Sequence, residues 1–430
     1  MKNFSERLKS ARRIKGFSLQ DLTDALNHAV SKQALNKYEQ GLMKPGTEIL
    51  IKLCNALEVR PDHFSREITI TLEHLEFRKL KGLPAKESAR IREKVTDELE
   101  RYLELEGIIG IRQPFTNPLT KTHIKTETDM ETIANHVRAS WKLGNGPLPD
   151  VTVLLECHNI KVMNIPGDGE FSGLATWKGL DNPVIAVNST LRADRKRFTL
   201  LHELGHIVLN SEGLSIKEKE KRCDRFASSL LVPGSSLKAE LGPSRTRITM
   251  NELLYLNRRY GAPINLIMHR AMEQGIISES FHKKFSVRWN TLAFGGQEPG
   301  DYSGHEHPEQ FTKLVHQALA EEVISIGKAA ALLNQKVSDL RAPSQAPEVE
   351  VVPRRAVRQG LLRFGSQVRA VHRSDGAVGA KSAERASGHG ASFGGSLPKE
   401  PRSSMREGPL DLRPADRPPI PVGYGNTLLP

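Results

Sequence analysis

The run Thr199-Leu200-Leu201-His202-Glu203-Leu204-Gly205-His206-Ile207-Val208-Leu209 holds the residue types best suited to chemistry. Folded as a helix, it sets His202 and His206 at i and i+4. Their imidazoles then leave one face about one turn apart, close enough to share a metal ion. Glu203 projects beside them, where a carboxylate can take a proton from a water that the metal activates. The chemistry implied is zincin-type hydrolysis of a peptide bond. A catalytic zinc ion takes three protein ligands and keeps one position open, so two histidines need a third donor. Glu220 and Asp224 are the candidates, i and i+4 on one face of the next helix. In a Glu-x-x-x-Asp pattern the glutamate ligates and the aspartate orients a histidine from behind. The competing reading is an exposed, ion-paired helix face, because Lys219, Lys221 and Arg222 surround both. The metal-site candidates are therefore His202, His206, Glu220 and Asp224, with Glu203 as general base. The cofactor is one Zn2+, with Mn2+ or another divalent ion as the alternative. His305 and His307, flanking Glu306, are a minor second candidate. Tyr260 and His269 read as packing residues, and Cys223 as a small buried one.

A second group lies near the N-terminus. Lys32, Gln33 and Asn36 stand at the start of a short helix on its polar face. If that helix enters the major groove, these side chains reach base edges, glutamine pairing with adenine and lysine with guanine. Gln20, Lys37 and Lys44 are placed for phosphates. The net charge of +12 favours anionic partners. Residues 1–65 carry 11 Lys+Arg against 7 Asp+Glu, so the basic character is not confined to a tail. The cysteines, Cys54, Cys157 and Cys223, are far apart and odd in number. That argues against a disulfide framework and for a reducing cytoplasm. The N-terminus lacks the apolar core of a signal peptide, and no stretch reaches the apolar length of a membrane span.

Periodicity and caps predict the helices and strands that carry these residues. Residues 1–66 read as five short helices. Ser18-Leu19-Gln20-Asp21 is a capping box for the second, Ser31 caps a third that runs to Glu39, and Gly41 follows it. An extended run, Ile68 to Leu72, and a charged helix, Ala85 to Glu106, occupy a linker over 67–129. From 130 to 285 helices and strands mix. Helices are expected over 130–141, 151–157, 219–231, 250–260 and 263–274, and strands over 160–165, 172–177 and 184–188. The last strand, Val184 to Asn188, is a candidate for pairing with a substrate peptide. A helical pair fills 286–342, as Phe311 to Ile324 and Ile326 to Leu333. Residues 343–430, rich in Arg, Gly, Ser and Pro, are expected to be disordered.

The N-terminal module resembles phage-repressor-like (Cro/CI, XRE-type) helix-turn-helix domains. The likeness rests on Leu19-Gln20-Asp21-Leu22, on Val30-Ser31-Lys32-Gln33-Ala34-Leu35-Asn36-Lys37-Tyr38-Glu39-Gln40-Gly41, and on Leu53 to Val59. Its turn has Ala29 where the family usually has glycine. The second domain resembles the ImmA/IrrE metallopeptidases. There the matching residues are His202-Glu203-Leu204-Gly205-His206, Arg225-Phe226-Ala227-Ser228-Ser229-Leu230-Leu231-Val232-Pro233, Val184 to Asn188 and Arg197 to Leu201. Many members read Glu-x-Glu-Ala-Asn-x-Phe-Ala at the second helix. This chain keeps the first glutamate as Glu220 and has Arg222 at the second. Together the resemblances imply an all-α helix-turn-helix domain, an α+β zincin-like metallopeptidase domain and a disordered tail. They imply a transcription regulator that binds a double-stranded DNA operator as a homodimer. Its zinc-dependent peptidase would cut a repressor-like protein or the chain itself. The alternative is a regulator whose peptidase-like domain is a non-catalytic sensor or an antitoxin-like partner-binding module.

Overall fold

The computed structural model describes residues 2–67, 70, 83–111, 113–119, 130–167, 170–179, 181–209, 213–292, 299–300 and 302–341. The expected Ile68–Leu72 run falls mostly outside these residues, and the tail from 343 lies wholly outside them.

Helices α1 (Lys2–Ile14), α2 (Leu19–Ala25), α3 (Lys32–Glu39) and α4 (Thr47–Leu57), with a 3-10 turn at Pro61–Phe64, make the N-terminal bundle. Leu8, Leu22, Leu35, Leu53 and Leu57 fill its core. The Ser18 side chain accepts from Asp21 N while the Asp21 carboxylate accepts from Ser18 N, closing the expected capping box. Ser31 caps α3 through Ala34 N. Between α2 and α3 the left-handed positions are Asn27 (φ 52°) and His28 (φ 58°), not Ala29. Asparagine and histidine are among the non-glycine residues that tolerate this region best, so the turn closes without glycine.

Helix α5 (Ala85–Ile109) presents a different set of residues to each of three neighbours. Ile91, Val95 and Leu99 pack on one face of the sheet. Tyr102 and Leu105 pack on the C-terminal helices. Towards α1, Arg7 donates to Glu100 at 2.5 Å, both side chains being almost fully buried, while Ser10 and Arg13 reach Glu93.

Next come α6 (Met130–Ser140), α7 (Val151–Cys157), β1 (Lys161–Ile165), β2 (Gly173–Lys178), β3 (Asn182–Asn188), α8 (Ala193–Val208) and α9 (Ile216–Leu231). Strand order is β1-β3-β2, with β1 parallel and β2 antiparallel to β3. Side chains alternate across β3, so Val184 and Ala186 join the α5 layer while Ile185 and Val187 join the α8 core. Because β3 is central, both its edges are already hydrogen-bonded. The expectation that a substrate pairs against Val184–Asn188 is therefore wrong.

Helix α9 begins three residues earlier than expected, capped by a Ser215–Glu218 box. Beyond it lie α10 (Gly234–Leu241), α11 (Met250–Tyr260), α12 (Ile264–Glu273) and α13 (Glu279–Leu292). Neither α10 nor α13 was anticipated, and α13 runs straight through residue 285. The C-terminal helices are α14 (Gln310–Ala320), α15 (Ile326–Leu333) and α16 (Val337–Arg341).

A strap over 302–309 ties these helices to the rest. Glu306 is buried; it accepts from Val151 N and Thr152 N at the start of α7 and pairs with Arg197 of α8 at 2.6 Å. In return Glu156, near the end of α7, accepts from Glu309 N and Gln310 N at the start of α14. The two segments cap each other. Burial raises Glu156 to about 7, and burial with the neighbouring Glu306 carboxylate raises Asp150 to about 7. His305 and His307 only flank this clamp, and no second metal-type cluster occurs among the described residues. No helix among them is long and apolar enough to cross a membrane.

Candidate metal centre

Two glycines allow the approach that builds the site. A Cβ on Gly205 would stand 3.1–3.2 Å from the Sγ, Cα and Cβ of Cys223, so α8 and α9 touch almost backbone to backbone. A Cβ on Gly173 would meet Thr199 Cγ2 at 2.8 Å and Glu203 Cγ at 3.3 Å, so β2 lies directly on α8. Cys223 is fully buried at this crossing, as a small packing residue.

That crossing carries Glu220 to the histidines. Its Oε2 is 3.1 Å from His202 Nε2 and its Oε1 3.3 Å from His206 Nε2; the two Nε2 atoms are 3.2 Å apart. Tetrahedral zinc with bonds of about 2.0–2.1 Å needs donors about 3.3–3.4 Å apart. The two Nε2 atoms, and each of them with the carboxylate oxygen it faces, come within a few tenths of an ångström of that spacing. Asp224 is not brought into this group. Its Oδ1 lies 2.7 Å from His202 Nδ1, the other ring nitrogen. The imidazole has two ends, and each carboxylate of the Glu-x-x-x-Asp pair meets a different one, Glu220 at Nε2 and Asp224 at Nδ1.

Glu203 is 1% exposed. It lines a cleft of about 350 Å3 together with His202, Glu220, Asp224 and the start of β2. Arg222 is not among the clustered donors. Neither is Tyr260, which is buried in the core, nor His269, which pairs with Glu273 at 3.4 Å. Arg195 also lines the cleft and was not singled out from the sequence. The available signal was its place seven residues before His202, on the same helix face.

The proposed DNA-facing residues have the opposite setting. Gln20, Lys32, Gln33, Asn36, Lys37 and Lys44 are all exposed. On α3 they back onto the buried Leu35 and Tyr38. Gln20 Nε2 donates to Asp24 at 2.9 Å. The bundle meets α5 elsewhere, through Arg7, Ser10, Arg13 and an Asp21–Lys86 pair.

Comparison with known proteins covers both regions. Residues 8–64 match a helix-turn-helix family, and residues 155–272 match the IrrE N-terminal-like domain of peptidase M78. Over 59 residues, 14% of this chain, the sequence is 42% identical to the SPbeta prophage-derived uncharacterized HTH-type transcriptional regulator YonR of Bacillus subtilis (strain 168). The matched stretch spans about half, 53%, of that relative. The chain thus joins a repressor-type helix-turn-helix domain to an IrrE-like domain of the M78 peptidase family.

Proposed function

We propose that the chain is a DNA-binding transcription regulator carrying a zinc-dependent peptidase, which cuts a repressor-like protein. The observation that supports this most is the spacing of His202 Nε2, His206 Nε2 and the Glu220 carboxylate, 3.1–3.3 Å on every side. His202, His206 and Glu220 hold the ion. When bound, zinc supplies Lewis acidity, polarising a substrate carbonyl and making water a better nucleophile near neutral pH. Asp224 accepts the His202 Nδ1 proton, which fixes the tautomer and leaves Nε2 free to ligate. Glu203, held in place by Gly173 and Thr199 packing, accepts the proton of the attacking water and passes it to the leaving amine. The exposed polar face of α3 enters the major groove of an operator, and pairing of two copies matches a two-fold site. The free cysteines agree with a cytoplasmic setting.

The test uses the full chain. Zinc content is measured by elemental mass spectrometry, and cleavage of purified repressor-type proteins by intact-mass analysis. One zinc per chain with cleavage that disappears in Glu203→Gln supports the reading. One zinc per chain with no cleavage of any partner leaves a sensor. Cleavage that survives Glu203→Gln removes the assigned base. On the DNA side, affinity for operator-like duplexes should fall steeply with salt, and salt-independent binding counts against that half.

A further inference from the structure

The cleft is lined not only by His202 and Glu203 but also by Phe198 and Arg195 of α8 and by Leu191 just before it. Phe198 lies between Arg195 and His202 on the helix, with its ring centroid 6.2 Å from that of His202. Leu191 and Phe171 add apolar wall beside it.

Arg195 is exposed, and its guanidinium has no hydrogen bond or ion pair among the described residues. This sets it apart from its neighbours. Arg192 pairs with Asp194, and Arg197 is buried against Glu306. Every other charged side chain in the lining, apart from the histidine, is a carboxylate: Glu170, Glu203, Glu220 and Asp224. A guanidinium presents a planar fork that fits a carboxylate with two parallel bonds.

From this arrangement we infer that Arg195 is a substrate-binding residue that takes a carboxylate, so that the peptidase prefers acidic segments. Seven residues of helix put Arg195 about 10 Å from His202 along the axis. An extended peptide rises about 3.3 Å per residue. The carboxylate therefore lies about two to four residues from the scissile bond. A large apolar side chain between them rests on Phe198 and Leu191. A carboxylate can come from an Asp or Glu side chain or from the C-terminus of the peptide. This inference rests on the proposed peptidase reading.

The experiment incubates the zinc-loaded full chain with a proteome-derived peptide mixture and maps the cuts by mass spectrometry. The expected result is Asp or Glu enriched two to four residues to one side of the cut. Arg195→Glu should reverse that enrichment to Lys or Arg. Cuts clustered at that distance from peptide C-termini, with no internal acidic preference, assign the same arginine to the terminal carboxylate. Cleavage with no carboxylate preference, or a preference unchanged in Arg195→Glu, overturns the inference and leaves the peptidase standing. A zinc-loaded chain that cuts nothing overturns both. Binding gives a readout apart from turnover. Labelled peptides spanning the strongest cut sites should bind the Glu203→Gln chain in fluorescence anisotropy. Replacing their acidic residue by its amide should weaken binding about three- to tenfold, an effect absent in Arg195→Glu.

Discussion

Lys32, Gln33, Asn36 and Lys37 stand in solvent over an apolar core, whereas His202 and Glu203 belong to a buried interior. On α3 the fold is held by Leu35 and Tyr38, and the outward side chains are free to be chosen for recognition. In the cleft each outward choice is also a packing choice. Glu203 touches what would be the Cβ of Gly173, and Gly205 must be bare for Glu220 to arrive. A surface reader can change its specificity without changing its stability. A buried metal centre cannot, because its polar groups are costly unless each keeps its partner.

Substitutions tell the two regions apart. The largest effect should come from Glu203→Gln, which keeps shape but removes the proton acceptor. Peptide cleavage should fall by about 10²–10⁴-fold while zinc content, measured in parallel, stays at one per chain. Next is Arg7→Ala, at the seam between the two regions. It takes the 2.5 Å guanidinium partner from the buried Glu100, while Arg66 stands farther off at 3.8 Å. Urea unfolding should report a loss of about 3 kcal/mol. A smaller loss would mean that the bundle is only loosely seated on α5.

Asp224→Asn should weaken zinc binding about 10–100-fold in chelator competition, the usual cost of losing a histidine's orienting carboxylate. Glu220→Gln should cost more, and the reverse order would exchange the two roles. The strap offers a pH test. A carboxylate whose pKa is higher folded than unfolded stabilises the fold at low pH, and that contribution is lost as pH rises towards about 7. Stability in thermal unfolding should therefore fall between pH 5 and pH 8, by an amount on the order of 2 kcal/mol from Glu156, and Glu156→Gln should remove that share while Asp150 keeps its own. The smallest effect is expected from Lys37→Ala. Operator affinity should drop uniformly across sequences, and the salt slope by about one, with no change in melting temperature.

Much of this architecture was readable locally. Caps at Ser18 and Ser31, apolar stripes in the N-terminal bundle and α5, and the i, i+4 histidines all depend on residues within a turn or two. Ser215 and Glu218 carried the same cap signal at α9, masked by the lysines that follow. Helix α10 begins with Gly234 after Pro233, which reads as a stop rather than a start. The strand order was not legible, because β3 could be edge or centre with the same apolar run. The Glu-x-x-x-Asp spacing did suggest separate tasks for Glu220 and Asp224, but how near each comes to His202 depends on how closely α8 and α9 cross at Gly205 and Cys223. Glu306, between His305 and His307 in a polar stretch, gives no local sign of burial. Its partners are about 110 and 154 residues away.

That long separation has a consequence for how the chain is made. Domains generally fold as they emerge during synthesis, N-terminal parts first, and long-range contacts wait for the later partner. The helix-turn-helix bundle closes on contacts within its own first 64 residues and can form early. The histidine helix cannot settle in the same way, since Arg197 stays without its carboxylate until Glu306 has been translated. A nascent chain thus holds a finished helix-turn-helix bundle well before it holds a finished histidine cleft, and a messenger truncated before the strap would yield the first without the second.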